Sequence, residues 1–139
     1  MKKLFVLFSV LYLYLSHGFA ATPDEVVKNM QKATDATVAN YKKGGISLLV
    51  QNSERCYKEV EKYRYYCIYL DLAARHISDL DGAGVRFAPE KYFVDDAFLP
   101  RAAEIFIRSG KEKEESNEYL AMVTTVINKF VDNALAAKK

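Results

Sequence analysis

The stretch RCYKEVEKYRYYCIYLDLAARHI, residues 55–77, decides how this chain is read. It holds both cysteines, five of the ten tyrosines and one of the two histidines. Tyr66, Leu70, Ala73, Ile77 and Leu80 recur at helical spacing with Cys67 and Ala74 beside them, whereas Asp71, Arg75 and Ser78 fall largely on other faces. The pattern predicts a core helix over residues 65–80. On one continuous helix Cys56 and Cys67 would stand about 16 Å apart, at roughly 1.5 Å of rise per residue. A disulfide needs Cα atoms within about 7 Å. A bond between them therefore requires the chain to turn back, and residues 59–64, which carry little apolar periodicity, supply the turn.

The compartment expected from the N-terminus favours that bond. Lys2 and Lys3 precede the apolar run 4–15, which is too short to span a bilayer, and Gly18 and Ala20 place small residues three and one before a cut after Ala20. Residues 1–20 read as a cleavable signal peptide and residues 21–139 as one helical domain. The expected location is the periplasm, or the medium beyond it, with no membrane span in the mature form. An oxidising compartment turns a lone pair of cysteines into a disulfide. Lys2 and Lys3 also account for the net charge of +2, so 18 basic residues face 18 acidic ones in the remaining chain. An even mixture of signs argues against a nucleic-acid partner.

Outward from the central stretch, the chain reads as helices separated by glycine and proline. Thr22-Pro23-Asp24-Glu25 is a capping box with proline at the first helical position. Val26, Met30 and Ala33 begin an apolar stripe that continues only onto Thr37 and Asn40, which predicts a helix at the edge of the domain. Gly44-Gly45 should break it, since two glycines in a helix interior cost about 2 kcal/mol. The apolar run 46–50 has no strand-like partner and reads as helix. Asp79-Leu80-Asp81-Gly82 should end the core helix through a left-handed glycine. Asp95 or Asp96 should cap a helix with Phe98, Ala102, Ile105 and Phe106 on its apolar side, which must absorb Pro100 and stops at Ser109-Gly110. Residues 111–115 read as a solvated run. Ser116 should cap a last helix with Leu120, Val123, Ile127, Phe130, Val131 and Ala134 on one face. The fold class expected is all-α, a single small domain of four to five helices with one disulfide.

Candidate sites are few. Asp79, Asp81 and Glu90 occupy positions 1, 3 and 12 of a calcium loop of the EF-hand type, with Gly84 at position 6. Ala83 at position 5, Arg86 and Pro89 depart from that pattern, so the segment is expected to be a helix stop and turn, and the three acids are weak metal candidates. His76 and Asp79 share a helix face, but two ligands do not make a transition-metal site. No nucleophile motif or phosphate loop is present, and neither enzymatic activity nor a cofactor is expected. Tyr57, Tyr63, Tyr65 and Tyr69 cannot all face inward with Tyr66. Together with Arg64 they form the candidate partner-binding surface, because exposed tyrosine and arginine recur at protein-binding hot spots.

In size, helical layout and single cysteine pair the chain resembles small exported immunity proteins that block toxins delivered by type VI secretion. That resemblance implies a non-enzymatic inhibitor whose partner is another protein. A small-ligand or calcium-binding protein using residues 79–90 is the alternative.

Overall fold

The structure, a computed structural model, describes residues 22–82 and 91–137, and of Tyr63 the backbone alone. It is all-α, and among the described residues there are five helices and no strand. These are α1 (Pro23–Lys58), α2 (Val60–Tyr63), α3 (Tyr65–Asp81), α4 (Asp95–Arg108) and α5 (Lys113–Ala136). Helices α1, α3 and α5 pack on one another pairwise, and α4 lies outside them against α3. Among the described residues no helix is long and apolar enough to cross a membrane.

α1 begins as its sequence requires. The Thr22 hydroxyl accepts from the Glu25 amide at 3.3 Å, the Glu25 carboxylate accepts from the Thr22 amide at 2.8 Å, and Pro23 opens the first turn. The helix is interrupted at Gly45, whose φ of 65° and ψ of −162° leave the helical region. Gly44 has a different task, since a Cβ there would stand 2.8 Å from that of Leu48. The expectation that α1 is an edge helix is corrected. It buries Val26, Met30, Ala33, Thr34, Thr37 and Val38 before the break and Leu49, Ser53 and Cys56 after it. The stripe is thin in the sequence because its members are small. Thr34 and Thr37 donate their hydroxyls to the carbonyls of Met30 and Ala33, at 2.9 and 2.7 Å, which leaves their methyl groups for the core. Small side chains let α1 approach its neighbours closely.

The chain reverses where expected. Cys56 and Cys67 are disulfide-bonded with Cα atoms 5.5 Å apart, and both are buried. The one-turn helix α2 and Arg64 fill the loop between them. α3 ends at Gly82 in the left-handed conformation, φ 64°, with its amide on the Asp79 carbonyl.

The expected face of α3 is also corrected. Leu80 is 56% exposed, while Ile68, Tyr69, Leu72, Asp71 and Ser78 are buried beside Cys67, Ala73, Ala74 and Ile77. A helix with α1, α5 and α4 around it has no single apolar stripe, so a reading that allowed one face to be buried assigned Asp71 to solvent.

The remaining helices show smaller departures. α4 has Val94 at its N-cap, with Asp95 and Asp96 in the first turn, and buries Phe98, Ala102, Ile105 and Phe106 as expected. It stops at Ser109 and Gly110, the latter at φ 72°. α5 starts earlier than expected. Lys113, Glu114 and Glu115 form its first turn, Glu112 and Glu115 make a capping box, and the Ser116 hydroxyl donates to the Glu112 carbonyl at 2.7 Å. Val123, Ile127 and Val131 are buried as expected, and Tyr119 joins them.

The disulfide closes a loop of 11 residues in sequence separation. Replacing both cysteines with alanine should lower unfolding free energy by about 3 kcal/mol, measured by urea denaturation. A loss well under about 1 kcal/mol would mean that the bundle alone enforces the reversal.

Candidate functional site

The residues that the sequence nominates for binding differ in exposure. Tyr69 is 3% exposed and its hydroxyl is hydrogen-bonded to that of Tyr119. Tyr65 is half-buried, its ring 5.8 Å from Phe106 and 5.5 Å from Tyr119. Tyr57 is half-buried and donates its hydroxyl to Asp71 Oδ2 at 3.0 Å. Tyr69 is thus an interior connector and takes no part in a surface, Tyr57 and Tyr65 each pack one side on the interior while staying partly exposed, and the Tyr63 side chain lies outside the described atoms. Arg64 is different. Its side chain is 59% exposed, and its backbone sits at φ 41° and ψ −111°, the one positive φ outside glycine among the described residues. It ends α2 and precedes α3 at once.

A polar cluster that the sequence reading missed lies at the centre of the molecule. Asp71, fully buried on α3, accepts Arg101 Nε on Oδ2 at 3.0 Å and Arg101 Nη2 on Oδ1 at 2.9 Å. This two-pronged pairing matches guanidinium geometry to carboxylate geometry. Arg101 also donates to the carbonyls of Ala97 at 2.9 Å and Tyr92 at 2.8 Å. Its guanidinium carbon lies 3.7 Å from the centroid of the Tyr92 ring, a close cation–π contact. The Tyr92 hydroxyl is 3.0 Å from that of Ser53 on α1. One guanidinium thus gathers α3, α4, the segment before α4 and, through the two tyrosines, α1.

Burial raises the Asp71 carboxyl, and the Arg101 fork and the Tyr57 hydroxyl oppose that rise. Burial works against the Arg101 charge too, but the bonds and charge of Asp71 outweigh it and hold the guanidinium above its ordinary value. Three donors occupy the two oxygens of a carboxylate that solvent does not reach. That chemistry suits a tie between helices. The sequence did carry a signal for it: Asp71 interrupts an otherwise apolar run, 67–74, and Arg101 interrupts another, 97–103.

The metal candidates resolve less completely. Asp79 and Asp81 are exposed, and Asp81 Oδ1 accepts the Tyr41 hydroxyl at 2.6 Å. Residues 83–90, including Gly84 and Glu90, lie outside the described residues. His76 pairs with Asp132 of α5, Nε2 to Oδ1 at 2.8 Å. Among the described residues no group of three or more His, Cys, Asp or Glu side chains is placed to hold a metal ion. No family model, curated protein or solved structure matches the chain.

The buried phenols set a pH limit on the fold. Burial raises Tyr57, with the Asp71 charge adding to it, and burial is also the leading cause of the rise at Tyr69 and Tyr119. In the unfolded chain each titrates near pH ~10, so above that pH the unfolded state releases protons that the folded state keeps. Their contribution is fully present below pH ~10 and is lost above it, by about 1.4 kcal/mol per pH unit for each, or about 4 kcal/mol for the three together. Urea unfolding should give a steady midpoint up to about pH 10 and a steep fall beyond, with a last step in tyrosinate absorbance, after that of the chain's other tyrosines, coming only as the helices melt. Ionisation of all three with helicity intact would contradict the burial argument.

Proposed function

We propose that this is an exported, non-enzymatic binding or inhibitory protein that acts through a protein–protein surface at its disulfide-closed corner. In general class it stands with small exported immunity proteins against type VI secretion toxins. Export is supported by the signal-like residues 1–20 and by a cysteine pair positioned to form a bond that an oxidising compartment preserves.

The observation that carries the reading is Arg64. A non-glycine residue at positive φ costs about 1–3 kcal/mol and persists where its surroundings dictate it. Here the surroundings are two helix ends and the Cys56–Cys67 bond. The side chain is exposed, and Glu61 lies within reach of both Arg64 and Arg108. A corner ordered in advance loses little entropy on association, and arginine is a favoured anchor of such contacts. The surface is narrower than the tyrosine-rich patch expected from the sequence, because Tyr69 is buried and Tyr57 and Tyr65 are half-buried.

Arg64→Gly tests this reading by separating stability from binding. Glycine accepts the positive φ without strain, so the unfolding midpoint should hold or rise. Affinity for the protein retained from the exported fraction by the parent should fall at least tenfold, about 1.4 kcal/mol. Unchanged affinity in a stably folded Arg64→Gly variant would remove the corner from the function.

A further inference from the structure

Glu61 of α2 lies between two guanidiniums, that of Arg108 in the last turn of α4 and that of Arg64 just beyond α2. The two contacts are unequal. Arg108 Nη1 reaches Glu61 Oε1 at 2.5 Å while its Nη2 reaches Glu104 Oε1 at 2.6 Å, so one guanidinium bridges carboxylates on two helices. Arg64 Nη2 stands 3.9 Å from Glu61 Oε2, beyond hydrogen-bond range. Among the described residues Glu61 is the acidic neighbour of the Arg64 side chain, and no acceptor is hydrogen-bonded to that side chain. Residues three apart on a helical turn reach each other without help, so what keeps Glu61 from closing on Arg64 is the stronger hold of Arg108.

We infer that Arg108 is a positioning residue for the Arg64 corner: it draws Glu61 aside and leaves the Arg64 guanidinium open to a carboxylate on the partner protein. The chemistry of the occupant follows from the group it stands in for. A guanidinium offers its N–H donors in a planar fork that a carboxylate meets with two parallel bonds, and the place beside Arg64 is the one that Glu61 would fill if Arg108 released it. The position of Arg108 is itself fixed, because the Asp71–Arg101 pair sets α4 on α3. All the side chains of this corner network are exposed, so the exchange of one carboxylate for another costs little. The inference rests on the function proposed above for the corner and adds the chemistry of its contact.

Phenylglyoxal modifies guanidinium groups, and more slowly those paired with a carboxylate, so its rate at Arg64 reads the state of the corner without any partner. In the purified, disulfide-bonded protein Arg108→Gln should release Glu61 to Arg64 and slow modification there, followed by peptide mass spectrometry, by about threefold, the scale of an exposed ion pair. Affinity for the protein retained from the exported fraction by the parent should fall by a similar factor. The double variant Arg108→Gln/Glu61→Gln has no carboxylate to close on Arg64 and should return both readouts to the parent values, a rescue that a merely structural Arg108 would not show. Modification or affinity indifferent to Arg108→Gln overturns the inference, and so does a double variant that stays as impaired as Arg108→Gln. A loss of affinity in Arg64→Gly without one in Arg108→Gln leaves the corner reading standing and the inference overturned. Full affinity in Arg64→Gly removes both.

Discussion

The bidentate pairing of Arg101 with Asp71 is the constraint on which the arrangement of the helices depends. α1, α3 and α5 bury apolar faces against each other and would associate on that ground alone. α4 stands outside them and needs a fixed position. Three arginines tie it, through Arg75 to Asp95 at its start, Arg101 to Asp71 in its middle and Arg108 to Glu61 at its end. The outer two pairs are exposed on at least one side, and such pairs contribute little. In the middle one Asp71 is fully buried, and its carboxylate left without Arg101 would cost several kcal/mol. Arg101 therefore fixes the register of α4 on α3, and its bonds to Tyr92 carry that order into the residues before α4.

One turn before Asp71, at the start of α3, a chain reversal is fixed covalently. α1 and α3 are long and closely packed, and the short α2 between them must fit whatever space the helix ends leave. The Cys56–Cys67 bond holds those ends together, and Arg64 takes the positive φ that completes the turn. Strain of this kind is tolerated because the structure on both sides is firm. Rigidity and exposure thus coincide at one arginine, while Tyr65 and Tyr69 are drawn toward the apolar surfaces of α4 and α5 and Tyr57 toward the Asp71 carboxylate.

Local signals in the sequence were reliable for α1 and α3, while the caps expected at Asp95 or Asp96 and at Ser116 lie inside the first turns of α4 and α5. Thr22 and Glu25 announced the start of α1, Gly45 its interruption and Gly82 the end of α3, because each depends on a few adjacent residues. The cysteine pair was legible through distance, since only a reversed chain can bring the two together. What was hidden depended on neighbours far away in the chain. Asp71 looked like a surface residue because its partner lies 30 positions on. α1 looked peripheral because alanine and threonine score as weakly apolar, although small size is what allows close packing. Tyr69 looked like a surface phenol because nothing near it in sequence announces the hydroxyl of Tyr119, 50 positions on. The exposure of Arg64 was therefore legible from its place between the cysteines, and the burial of Tyr69 was not.

The dependence of the fold on the buried pair is measured most directly by a double-mutant cycle on Asp71 and Arg101 under urea denaturation. Arg101→Met alone strands a buried carboxylate and should cost about 3–5 kcal/mol, and Asp71→Leu alone, which leaves the part-buried guanidinium its bonds to the Ala97 and Tyr92 carbonyls, should cost less. The double variant, with neither charge present, should recover most of that loss, giving a coupling energy of at least about 2 kcal/mol. Additive losses would contradict this account and would mean that apolar packing by Phe98 and Phe106 is enough to place α4.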